Sequence, residues 1–227
     1  MEVLRRVGYL SEERELSEWM RIDELMRYTQ AYHPGWDVAY ADQLLDTFNL
    51  DRASLVKDLS KGMRAQTGLV AAVAHRPDLL ILDEPSSGLD AVVRKDILDA
   101  IVRTVADDGR TVIFSSHLLE EVERMSDHVT MIHGGGVALQ GPLDEIRQDH
   151  RRCRIRFSDP WDTPPSIDGV LSVEGSGRSW SVVHNGAADR VSASLASLGG
   201  EVMQSREATL QEIFVARVGR TRVGAGE

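Results

Sequence analysis

Residues 79–82 read Leu-Leu-Ile-Leu and stop at Asp83-Glu84, and no other stretch limits the possible folds as strongly. A short apolar run without polar alternation fits a strand buried on both faces, which requires a sheet covered by helices. A second run of this kind spans Thr111 to Phe114. Between the two, Val93, Ile97, Ile101 and Val105 recur at helical spacing, with Asp90 placed to cap the helix start and Gly109 placed to end it. Strand, helix and strand in this order predict a parallel sheet with a right-handed crossover, and so an α/β fold.

The same reading organises the rest of the chain. Helices are predicted from Asp23 to Ala31 and from Asp37 to Phe48, on either side of a turn at Pro34-Gly35, and a small-residue helix from Met63 to Ala74. A helix near Leu118 to Met125 leads to strands at His128 to Ile132 and Val137 to Leu139, which the Gly134-Gly135-Gly136 run joins as a hairpin. Near residue 150 the composition changes. Cys153, Ile155 and Phe157 alternate with Arg152, Arg154 and Arg156, the pattern of a half-buried strand. Further strands are expected at Val170 to Val173, Trp180 to Val183 and Glu201 to Met203, with a helix from Ala187 to Leu198. Thr209 and Glu212 form a capping box before a last helix in which Leu210, Ile213 and Phe214 share a face. The expected organisation is an α/β domain over 1–150 with a helical segment at about 13–75, a small α+β domain over 151–218, and a flexible tail over 219–227.

Composition narrows the function. The net charge of −10 opposes a general nucleic-acid binder, because counterion release needs a basic surface. Cys153 is the single cysteine and cannot form an intrachain disulfide, and neither a secretory leader nor an apolar run of spanning length occurs. The chain therefore reads as cytoplasmic, with any membrane link made through a partner. The Arg152, Arg154 and Arg156 face reads as a solvated strand face, and Trp19 and Trp36 as packing or partner-facing residues.

In an open parallel sheet, ligands gather beyond the carboxyl ends of the strands. One apolar strand here ends in Asp83-Glu84 and the other in Ser115-Ser116-His117, so an acid pair and a histidine are expected at one sheet edge. Such a set suits phosphoryl transfer, with one carboxylate holding a magnesium ion through water, the next orienting an attacking water, and the histidine bonding the transferring group. Upstream, Leu59-Ser60-Lys61-Gly62-Met63 sits at a helix start, where free amides favour an anion.

The ordered set LSKGM, LLILDE, SSGLD and SSH resembles the signature loop, Walker B strand, D-loop and H-loop of ABC-transporter ATPases. The resemblance implies a P-loop NTPase-like ABC cassette, here partial, with a mostly parallel sheet, a helical subdomain and a small α+β domain behind it. It implies that Asp83 helps hold magnesium, Glu84 is the catalytic carboxylate, His117 contacts the γ-phosphate and Asp90 lies at a dimer interface. Ser60, Lys61 and Gly62 would belong to the nucleotide site, with Ser60 and Gly62 touching the ATP of a second ATPase subunit in a homo- or heterodimer. Glu12, after Gly8-Tyr9-Leu10-Ser11, stands where the family's Q-loop usually has glutamine and keeps an oxygen ligand. Lys61 and Met63 also depart from the usual LSGGQ.

The stretch Trp19 to Tyr28 resembles the segment that meets a transporter's membrane-spanning subunit, and the ending TLQEIFVARVG is similar to the tail of bacterial exporter ATPases. No GxxxxGK[ST] occurs in the sequence, and the Gly134 run has no lysine after it. The expectation is an incomplete cassette in which strand 79–82 has an unpaired flank. The functional expectation is an exporter ATPase, peripheral on the inner face of the cell membrane and acting on no nucleic acid. The alternative is a non-hydrolysing partner that donates its signature loop to another subunit.

Overall fold

Where the acid pair sits depends on which strands flank 79–82, and the computed structural model settles this. It describes residues 3–13, 15–186 and 188–219, apart from the side chains of 104–108. The Val105 side chain, Ala187 and the tail beyond Gly219 are thus outside what is described. The chain divides into two units, Met1–His117 and Leu118–Glu227.

In the first unit, β1 (Val7–Leu10) is followed by helices α1 (Ile22–Gln30), α2 (Val38–Thr47) and α3 (Lys61–Val73), then β2 (Leu79–Leu82), α4 (Ala91–Asp108) and β3 (Thr111–Phe114). The sheet is parallel with order β1-β2-β3, pairing Leu10 with Leu82 and Leu82 with Phe114. Strand 79–82 is therefore paired on both sides, which overturns the expected open flank. The sequence hid this because β1 carries the glycine Gly8 and is only four residues long. That glycine is required, since a Cβ there would lie 2.2 Å from the Ala72 carbonyl oxygen of α3. Small residues of α3 let the helix lie close on β1, and a Cβ on Gly68 would sit 2.8 Å from Leu10.

Leu80 and Leu82 are 0% and 1% exposed, and burial of such side chains contributes about 1.5–3 kcal/mol each. The reading of both runs as buried on two faces holds less well for β3, where Ile113 is 56% exposed at the end of the strand order. The predicted ends of α4 are present: Asp90 accepts from the Val92 and Val93 amides, and Gly109 takes φ +61° after the helix. Asp37 also caps α2, accepting from the Tyr40 amide at 2.9 Å.

The second unit contains α5 (Leu119–Met125), the hairpin β4 (His128–His133) and β5 (Gly136–Pro142), α6 (Leu143–Asp149), β6 (His150–Trp161), β7 (Val170–Asn185), α7 (Ala188–Ser197), β8 (Gly200–Glu207) and α8 (Leu210–Val218). β6 lies between β7 and β8 in an antiparallel sheet. Cys153, Ile155 and Phe157 point into one core with Trp180, Val191 and Leu195. A second core joins Val129 and Met131 of the hairpin and Ile146 of α6 to Leu210 and Ile213 of α8. This shared core explains why the division falls at 117/118 and not at the compositional change near 150. The strands expected separately at 170–173 and 180–183 are parts of one strand, β7.

Candidate active site

The parallel register does the assembling. With Leu82 opposite Phe114, the next residues, Asp83 and Ser115, stand level beyond the strand ends. The Asp83 amide donates to the Leu10 carbonyl at 2.8 Å and the Ser115 amide to the Leu82 carbonyl at 2.9 Å, so both positions are fixed by the sheet ladder. Glu84 leaves the strand with φ +45°. For a non-glycine residue outside a helix end this is a strained backbone, of a kind that costs about 1–3 kcal/mol and collects at functional sites.

His117 Nδ1 lies 2.7 Å from Glu84 Oε2, the carboxylate side chain being 18% exposed and the imidazole 64%. The expected juxtaposition of acid pair and histidine is thus observed. Ser115, which the sequence marks only as part of a strand-end Ser-Ser-His run, also belongs to it. Its hydroxyl donates to Asp83 Oδ1 at 2.7 Å and accepts from the Glu84 amide at 2.9 Å. Knowing the parallel register would have been enough to find it.

Ser60 caps α3, accepting from the Met63 amide at 3.2 Å. Lys61 lies across Gly88, where a Cβ would meet Nζ at 2.1 Å, and a Cβ on Gly62 would come within 3.1 Å of the Val93 methyl groups. The LSKGM turn is therefore held against the segment 88–93 that follows the acid pair and contains Asp90. No described hydrogen bond joins Ser60, Lys61 or Gly62 to Asp83, Glu84 or His117. Glu12 is exposed in the turn after β1, at the same end of the sheet as Asp83 because β1 and β2 are parallel. No described hydrogen bond ties it to the acid pair.

Among the described residues, no three His, Cys, Asp or Glu side chains converge as a metal cage. A single exposed carboxylate suits magnesium nonetheless, because that ion keeps several waters and substrate oxygens. With Oδ1 taken by Ser115, Asp83 has Oδ2 to offer. His75, elsewhere in this unit, is pushed down to about 4 by burial, by the stacked His33 and by Arg110, against the opposing bond to the Val7 carbonyl.

A parallel α/β sheet flanked by helices, with an acid pair and a histidine beyond its strand ends, is consistent with a P-loop NTPase-like cassette. Residues 2–87 match the ABC transporter family. The chain is 30% identical over 229 residues to the ABC transporter ATP-binding protein YhaQ of Bacillus subtilis (strain 168), covering 96% of this chain and 76% of that one. It is 27% identical over 199 residues to the ABC transporter ATP-binding protein YtrB of the same organism, covering 88% and 68%. A solved structure described as an ATP binding subunit of an ABC transporter superposes with TM-score 0.57 at 30% identity, over 63% of this chain and 62% of that one. The chain belongs to the family of ABC transporter ATP-binding proteins, and by that membership is an ABC-type ATPase. Among the described residues, no helix is long and apolar enough to cross a membrane.

Proposed function

We propose that this chain hydrolyses ATP with its own acid pair and couples that hydrolysis to a separate membrane-spanning subunit, in the direction of export. It works on the cytoplasmic face of the membrane, as one of two ATPase subunits. The observation that carries the reading is the 2.7 Å contact between Glu84 and His117 beyond the ends of β2 and β3. Glu84 orients the attacking water and accepts its proton, while His117, with Nδ1 turned to Glu84, has Nε2 to offer the γ-phosphate. Asp83 would hold magnesium through water with Oδ2, and the ion would supply positive charge to offset the negative charge developing on the phosphate oxygens. Ser60 and Gly62, at the start of α3, contact the nucleotide of the second subunit, where free amides favour an anion. The tail ending TLQEIFVARVG, similar to exporter ATPases, supports the direction of transport.

The test is Glu84→Gln in the subunit as isolated from its own cells and reconstituted with its membrane partner. Turnover should fall by about 10²–10⁴-fold, with assembly intact. Unchanged turnover would instead support a subunit that only donates Ser60 and Gly62 to another subunit's nucleotide.

A further inference from the structure

We propose that Ser115 is the positioning residue of the acid pair, its hydroxyl setting the Asp83 carboxylate for a divalent cation and holding the Glu84 backbone in its left-handed conformation. The inference rests on the ATPase reading above. A serine hydroxyl has one proton to give, and here it goes to Asp83 Oδ1 at 2.7 Å. Its lone pair takes the Glu84 amide at 2.9 Å, so the orientation of the hydroxyl is fully specified. The hydroxyl is placed by the sheet itself, since the Ser115 amide bonds Leu82 of β2 and the Asp83 amide bonds Leu10 of β1.

Three consequences follow from one side chain. Asp83 cannot turn freely about its terminal torsion, so Oδ2 faces a fixed direction. The Glu84 amide, turned out of the strand by φ +45°, keeps an acceptor. The side chain that continues from that backbone reaches His117 Nδ1 at 2.7 Å. Ser115 thus sets the cation ligand and the catalytic carboxylate together. A hydroxyl that only capped a strand end would leave cation affinity untouched.

Mn²⁺ serves as the probe, with binding to the subunit isolated from its own cells read by EPR in the presence of ATP. Ser115→Ala should weaken Mn²⁺ binding by about tenfold, as loss of a partner that orients a metal ligand typically does, and should speed hydrogen exchange at the Glu84 amide. Ser115→Thr keeps the hydroxyl and should restore both. Ser115→Cys, similar in size but a poor hydrogen-bonding group, carries the same expectation as alanine if that variant does not fold. Wild-type Mn²⁺ affinity in folded Ser115→Ala or Ser115→Cys would overturn the assignment. A folded wild-type subunit that binds no Mn²⁺ with ATP would overturn the ATPase reading and this inference with it.

Discussion

In Met1–His117 the sheet is parallel and each strand is four residues long, whereas in Leu118–Glu227 the sheet is antiparallel around a strand of twelve. Parallel strands end on the same side, so the residues after β2 and β3 meet without any further device, and they carry Asp83, Glu84, Ser115 and His117. Antiparallel strands end on alternate sides and cannot gather groups in that way. The second unit puts its residues into cohesion instead, with one core behind β6 and another joining the hairpin to α8. The lesson is that chemistry here follows strand direction, and burial follows sheet coverage.

The sharpest way to break this contrast is Phe157→Ala. The side chain is 1% exposed within the second unit, and its loss should cost that unit about 3–5 kcal/mol. Denaturation followed by hydrogen exchange should show the loss in β6, β7 and β8 while β1, β2 and β3 keep their protection. Equal loss in both units would show that they are not independent.

Gly8→Ala tests the first unit in return. Its Cβ would enter the space of the Ala72 carbonyl, so β1 must move off α3, at a cost of about 1–3 kcal/mol. The urea midpoint of the first unit should fall, and the Asp83 amide, bonded to Leu10, should exchange faster.

The smallest effect is expected at Glu212. Burial alone would raise its carboxyl, but bonds from the Arg206 guanidinium, the Thr209 amide and the Arg152 guanidinium outweigh it and hold the group at about 2. Because this lies below the ordinary value of 4.5, the stabilisation is present above pH 4.5 and is lost as pH falls towards 2. Glu212→Gln should cost about 1 kcal/mol at neutral pH and flatten that part of the second unit's pH–stability curve. An unchanged curve between pH 4.5 and 2 would remove Glu212 from the account of that unit's cohesion.

How much of this was legible beforehand varies by element. β2 and β3 were read to the residue because apolar runs bounded by Asp83 and Ser115 leave little freedom. The capping box at Thr209 and Glu212 was equally local, and both of its bonds are present. β1 escaped, since Val-Gly-Tyr-Leu has neither a sustained apolar run nor clear alternation. α6, from Leu143 to Asp149, was missed because two turns give too short a period to detect. In the candidate site, Glu84 and His117 are legible from their strand-end positions, while the role of Ser115 is not, because a serine after a strand has no signature of its own.

By itself, the sequence determined what depends on neighbours along the chain: the two apolar strands, the caps at Asp90 and Thr209, the alternation through Cys153, Ile155 and Phe157, and the ordered motifs that mark the family. Only the tertiary structure decided what depends on partners far away in sequence. It put β1 beside β2, assigned the hairpin at Gly134 and Gly135 to the second unit, laid Lys61 across Gly88, and set the Ser115 hydroxyl between Asp83 and Glu84. The physical reason is that caps and periodicity are short-range properties of the backbone, whereas pairing order and register are fixed by whichever distant surfaces bury each other best.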